Sequence, residues 1–190
     1  MELNFVTGND LKYALAQALC AREGVELQQL VLEIDEIQGE DAEAIIRHKA
    51  KSAYALVGKP VVVSDDSWLI SGLNGFPGPY MKSMNTWFRT EDFINLTASL
   101  QDRMATVVQL LAYQDDKETV LFRKDAIGTI LTEPKGSSQV PWRNVIAMVF
   151  DNGLSLAEVD ETGLLDSPER LVKFPEPWSE LLTWYKNKHA

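Results

Sequence analysis

The chain has 190 residues, 45% of them hydrophobic and 24% charged, with a formal net charge of −10. That length and apolar content suit one domain with a real core, and the acidic field repels a DNA or RNA polymer. No apolar run approaches the roughly 20 residues of a membrane span, and the start, MELNFVTGND, lacks the pattern of a secretory leader, so no membrane partner is expected.

In chain order, Leu3–Thr7 (LNFVT) reads as a short buried strand broken by Gly8-Asn9-Asp10. Leu11, Leu15, Ala18 and Leu19 then recur at helical spacing, and Gly24 closes that helix. Leu27–Glu36 is a second strand candidate, followed by an amphipathic helix through Ala42, Ile45, Ile46, Ala50 and Ala53 to Gly58. Pro60–Asp65 is an unbroken apolar run, the kind found in a strand buried on both faces. Thr90-Glu91-Asp92 opens another helix. Strand-like runs follow at Ala105–Tyr113, Thr119–Arg123, Ile127–Thr132, Val145–Phe150 and Leu154–Val159, the last two flanking a hairpin signal at Asp151-Asn152-Gly153. Pro177-Trp178-Ser179-Glu180 starts a final helix. The expected fold class is α/β, with a mixed sheet and a second lobe built on hairpins.

Chemistry has few carriers. A single cysteine, Cys20, and two histidines exclude an intrachain disulfide and argue against a zinc site or a histidine-based triad, and a reducing cytoplasm is the expected compartment. Thr7-Gly8-Asn9-Asp10 enters a helix, where free N–H groups accept anions, and Lys12 lies one turn on; the competing reading is a plain helix cap by Asn9 or Asp10. Glu36 before Gln38-Gly39, and Lys49 among Arg47, His48 and Lys51, fit a solvated turn and an exposed helix face as well as a site. Asp65 and Asp66 end the apolar run and enter a Gly/Pro loop. There two carboxylates can hold Mg²⁺ and polarise a water, or can simply make an exposed turn.

The order of these segments narrows the choice. VTGNDLK, EIQGE, KAKSA, DDS and LNGFPGPYMK, spread over residues 3–82, resemble the inosine triphosphate pyrophosphatase family, with a weaker likeness at Phe122–Pro134 (FRKDAIGTILTEP). The resemblance implies one domain over residues 1–190, built as an elongated mixed β-sheet flanked by helices, with two lobes and a central cleft. It also implies Mg²⁺-dependent hydrolysis of nonstandard purine nucleoside triphosphates such as ITP, dITP and XTP to monophosphate and pyrophosphate. Carried over by position, Thr7, Asn9 and Lys12 would bind the triphosphate and Lys49 would neutralise its charge. Glu36 and Asp66 would arrange metal and water with Asp65 assisting, and Lys82 would lie near the nucleotide. The family's members pair as homodimers, which is the expected assembly.

The second half departs from the family. Where an aromatic-Gly-Trp-Asp-Pro segment is expected, Val140-Pro141-Trp142-Arg143-Asn144 stands; Trp142 remains to stack on a base, but a carboxylate has become Arg143. The Ser-His-Arg signature is replaced by Ser167-Pro168-Glu169-Arg170, leaving Arg170 as its substrate-binding counterpart. The expectation is retained triphosphate chemistry with altered base selectivity. The alternative is a degenerate member that binds or senses nucleotides without turning them over.

Overall fold

The computed structural model describes residues 1–35, 37–165 and 167–189, and all side chains among them except those of residues 168, 171 and 172. The chain forms a mixed sheet flanked by helices, with hydrogen-bonded strand order β2-β1-β3-β5-β6-β7 and β4 added on β3. The strands are β1 (Glu2–Val6), β2 (Glu26–Leu30), β3 (Val61–Ile70), β4 (Pro77–Gly78), β5 (Met104–Gln114), β6 (Thr119–Ile130) and β7 (Ile146–Met148). The helices are α1 (Asp10–Arg22), α2 (Ala42–Val57), α3 (Met81–Trp87), α4 (Thr90–Thr97), α5 (Leu156–Glu161), α6 (Pro168–Lys173) and α7 (Trp178–Lys188). The residues divide into two compact units.

The first unit comprises Met1–Asp66, Gln109–Lys124 and Glu176–Ala190. Its centre is β1, parallel to β2 on one side and to β3 on the other, with Phe5 opposite Gln29 and Val62. Flanked on both edges, β1 can carry an almost unbroken apolar run, and Leu3, Phe5 and Val6 are buried. The connection β1–α1–β2 runs one way across the sheet and β2–α2–β3 runs back over β1. Right-handed crossovers therefore put α1 and α2 on opposite faces. Packing agrees: Leu3, Phe5 and Val62 form one cluster with Ala16 and Cys20 of α1 and with Trp178, Leu181 and Tyr185 of α7. Each such buried Leu or Phe contributes about 1.5–3 kcal/mol. Asp41 caps α2 by accepting from the N–H groups of Glu43 (2.9 Å) and Ala44 (3.1 Å), and Gly58 ends it at φ +67°. At the far end of α7, the Lys188 ammonium lies 2.6 Å from Asp115 and 2.7 Å from Glu118, against the rings of Tyr113 and Trp184.

The second unit comprises Ser67–Val108 and Asp125–Pro175. Its core gathers Ile70, Met84, Phe93, Trp142, Val145 and Ile146, with Trp142 edge-on to Trp68 at 5.3 Å. β6 and β7 run antiparallel with Gly128 opposite Met148, and a Cβ at Gly128 would meet the Ala147 carbonyl at 2.8 Å. Backbone approach, not turn geometry, requires that glycine.

Several sequence expectations change here. Leu154–Val159 is not the second arm of a hairpin. The turn is present, with Asn152 and Gly153 at φ +53° and +79°, but Ser155 then caps α5. The Ser155 hydroxyl accepts from Glu158 N–H at 3.0 Å, and the Glu158 carboxylate accepts from Ser155 N–H at 2.9 Å. That reciprocal cap, readable as Ser-x-x-Glu, outweighs the apolar alternation. The second lobe is accordingly more helical than a hairpin meander. The second strand spans only Glu26–Leu30, and the runs at Thr119–Arg123 and Ile127–Thr132 are one continuous strand, β6.

Candidate active site

The carboxyl end of β1 leads straight into α1. Thr7 donates its N–H to Leu30 O at 3.0 Å, its hydroxyl accepts from Asn9 N–H at 3.1 Å, and Asn9 Oδ1 accepts from Lys12 N–H at 3.0 Å. Asn9 is thus the helix cap, at φ −98° and ψ 108°. The N–H groups of Asp10 and Leu11, on the first turn, have no acceptor within the helix and carry the positive end of its dipole. One turn further, Lys12 Nζ lies 2.8 Å from Asp66 Oδ2. Both side chains are about one-third exposed, at 31% and 38%, so a ligand entering from water reaches them.

Strand alternation decides which of the two neighbouring aspartates joins this group. Val62 faces α1 and α7, so Ser64 and Asp66 face the same way and Asp65 projects to the other side, that of α2. Ser64 and Asp66 line a cavity of about 60 Å³ with Phe5, Lys12, Gln109 and Glu176. From α2, Lys49 Nζ donates to the Ser64 carbonyl at 3.3 Å, which brings a second ammonium to β3 just past Val63, its last residue paired with β1. Thr7, Asn9, Lys12, Lys49 and Asp66 therefore gather where β1 ends beside the middle of β3, at the point where the two crossovers diverge; β3 continues through both aspartates to Ile70, so the pair sits within the strand and not, as the sequence suggested, at its end before a loop. Open α/β sheets place ligands at such points. Glu36 lies outside the described residues.

Among the described residues no group of three or more His, Cys, Asp or Glu side chains is close enough to cage a metal ion. What is present is a partly exposed hard-oxygen donor, Asp66, beside ammonium groups and helix N–H groups. That donor set fits a hard divalent cation that keeps most of its water.

Sequence reasoning missed the wall supplied by Gln109, Glu176 and Trp178. These residues come from distant parts of the chain, and only the docking of α7 on Phe5, with Trp178 at 5.0 Å from its ring, brings them in. The Glu176 carboxylate accepts from the Trp178 and Ser179 N–H groups and so caps α7. Burial, with the Glu176 carboxylate adding to it, pushes the Cys20 thiol up to about 12, an unreactive core position.

The remaining sequence candidates belong to the second unit. Lys82 is exposed on α3. Trp142 is 2% exposed and packs among Ile70, Phe93 and Trp68, with its indole N–H buried and unpaired. Arg143 pairs with Asp160 at 3.2 Å. Arg170 pairs with Asp151 through two 3.0 Å bonds and lies against Phe150 and Phe174, in a different cluster from Trp142.

Comparison with known proteins follows this geometry. The Ham1 family model matches residues 3–163. An inosine triphosphate pyrophosphatase of Tuber melanosporum is 31% identical over 182 residues, covering 94% of this chain and 96% of that protein. A dITP/XTP pyrophosphatase of Methanopyrus kandleri is 32% identical over 193 residues, covering 100% of this chain and 99% of its own. The structure of a HAM1 protein from Coxiella burnetii superposes with a TM-score of 0.77 at 20% identity, covering 98% of this chain and 99% of that one, a likeness of fold. No helix among the described residues is long and apolar enough to cross a membrane.

Proposed function

Because this chain belongs to the Ham1 family, we propose that it is a nucleoside triphosphate pyrophosphatase that hydrolyses nonstandard triphosphates such as ITP, dITP and XTP to monophosphate and pyrophosphate. The observation that carries the reading is the Lys12–Asp66 contact of 2.8 Å beside the amino end of α1. An anion-seeking helix end, an ammonium and a carboxylate at one point suit the cleavage of a phosphoric anhydride better than a structural ion pair, because pairs this exposed add little stability.

In this reading the N–H groups of Asp10 and Leu11 and the amide of Asn9 hold phosphate oxygens, with Thr7 fixing Asn9. Lys12 and Lys49 stabilise the charge that spreads over those oxygens as the anhydride breaks. Asp66 orients a water and takes its proton, the water oxygen bonds to the α-phosphorus, and the bond to the β-phosphate bridging oxygen breaks, releasing pyrophosphate. Mg²⁺ held by Asp66 and Glu36 would supply further neutralisation of the phosphate chain. Asp65, on the other strand face, supports the site rather than the reacting atoms. The whole chain acts as one domain, since three strands are divided between its two units. The proposal includes a homodimer in the cytoplasm, where a buried thiol such as Cys20 stays reduced, and a base selectivity shifted by Arg143 and Glu169.

The test is pyrophosphate release from ITP, XTP, dUTP and the four standard dNTPs, with and without Mg²⁺, by the native chain and by Asp66→Asn. Mg²⁺-dependent release abolished in the variant supports the reading. Thermal stabilisation by nucleotides with no product formed would instead make the chain a binder.

A further inference from the structure

The cavity of about 60 Å³ that Asp66 lines lies wholly within the first unit. It is too small for a nucleoside, whose sites begin at roughly 300 Å³. A single water needs about 10–15 Å³ of such space, so the volume suits a few water molecules beside the carboxylate.

The side chains on the wall decide how a water there is held. Phe5, Leu15, Leu110 and Leu111 are apolar. Lys12 is engaged with Asp66 at 2.8 Å. Glu176 caps α7, accepting from the Trp178 and Ser179 N–H groups and from the Ser179 hydroxyl. The Ser64 hydroxyl is on a short stem two residues, roughly 7 Å, behind Asp66 on the same strand. Gln109 is the longer uncharged group, and strand alternation sets its direction. Leu111 and Tyr113 of β5 share a core cluster with Val62 of β3, the strand beside it, so Gln109 faces the same side of the sheet as Asp66.

An attacking water has two O–H groups and a lone pair that must be aimed. In the proposed reaction Asp66 accepts one O–H and takes its proton. The other O–H needs an acceptor that holds it without removing it, or the oxygen swings away from the phosphorus. An amide carbonyl is such an acceptor, and its two N–H groups can be fixed by other neighbours at the same time.

We propose that Gln109 is a positioning residue for the attacking water, its side-chain carbonyl accepting the O–H that Asp66 does not take. A lone pair of the water oxygen then faces the α-phosphorus. As that bond forms, the first proton passes to Asp66, and the bond to the bridging oxygen breaks with its electron pair leaving on pyrophosphate. The inference rests on the reading of the chain as a triphosphate pyrophosphatase.

The experiment follows ITP cleavage by the native chain, Gln109→Leu and Gln109→Asn with Mg²⁺, in water and in water containing methanol. Methanol carries a methyl group where water has its second O–H, so the ratio of inosine monophosphate methyl ester to inosine monophosphate reads the discrimination directly. Gln109→Leu is expected to lower kcat about 10–100-fold while KM for ITP stays within about twofold of native. It is also expected to raise the ester-to-monophosphate ratio about tenfold, a change that a merely structural role would not produce. Gln109→Asn withdraws the amide by one methylene and moves both readings the same way, which decides the matter if the leucine variant does not fold. A kcat within about twofold of native, a loss confined to KM, or an unchanged product ratio in a folded variant overturns the inference and leaves the pyrophosphatase reading in place. A native chain that releases no pyrophosphate from ITP, dITP or XTP overturns both.

Discussion

Lys12 and Asp66 meet at 2.8 Å although one stands on the first helix and the other near the middle of a strand two crossovers later. The parallel pairing of β1 with β3 is what closes that gap, with Val6 opposite Val63 setting the height at which β1 leaves the sheet and β3 runs on to Asp66. Asp65, one residue earlier, is turned away by the pleat.

That difference predicts unequal effects for the two aspartates. Asp66→Asn is expected to lower kcat for ITP by about 10²–10⁴-fold, the range for removing a positioned proton acceptor. Asp65→Asn is expected to cost less than about tenfold, because it acts through the strand rather than on the substrate. Steady-state pyrophosphate release from both variants decides this, and equal losses would contradict the assignment of faces.

Replacement of the ammonium should act on binding as well as rate. Lys12→Met keeps the aliphatic stem and removes the charge, so KM for ITP rises and kcat falls, together costing about 10²–10³-fold in kcat/KM. Raising the salt concentration should weaken ITP binding to the native chain more than to this variant, since a screened charge is missing from the latter. Isothermal titration in two salt concentrations measures it.

The Lys188 clamp gives a pH prediction with a definite sign. Burial works to raise the Asp115 carboxyl, but it is outweighed by the Lys188 ammonium and the N–H groups of Lys117 and Glu118, which bring it down to about 2. A lowered carboxyl stabilises the fold above its ordinary range near 3.9, and that contribution is lost as pH falls toward 2. For Lys188, burial works downward and is outweighed by Asp115 and Glu118, so its net shift is upward and its contribution disappears only in strong alkali. Lys188→Met is therefore expected to move the acid-unfolding midpoint to higher pH, followed by circular dichroism, and to leave the rate at neutral pH near native.

Ser155 is fully buried, accepts from Glu158 N–H and donates its hydroxyl to the Lys135 carbonyl at 2.9 Å. Ser155→Ala removes the α5 cap at a cost of about 1–2 kcal/mol. Calorimetry should show Tm lower by roughly 5 °C.

At Gly128 a methyl group would press on the Ala147 carbonyl and on Ile146. Gly128→Ala is expected to cost about 1–3 kcal/mol, read as a shift in the urea midpoint.

How much of this was legible beforehand depends on how local each cause is. The strand at Leu3, the helix from Ala42 to Gly58 and the apolar run from Pro60 were readable because each is specified by its own residues. Leu154–Val159 was misread because a short apolar alternation fits strand and helix alike, and the deciding Ser155–Glu158 pair was passed over. In α3, Met81 and Met84 sit at helical spacing, but one short turn gives too little periodicity to recognise. The site divides in the same way. The Asn9 cap was readable, and the meeting of Lys12 with Asp66 was implied by resemblance alone. The entry of Glu176 and the Asp151–Arg170 pair depend on residues far apart in sequence, which no local pattern records.

The boundary between the two units crosses β3 after Asp66, β5 after Val108 and β6 after Lys124. A proteolytic fragment containing either half would carry three severed ribbons with unmet amides along their length. Cut at that boundary, either half would have to find new partners for those amides, so the two units are expected to unfold together in a single denaturation step.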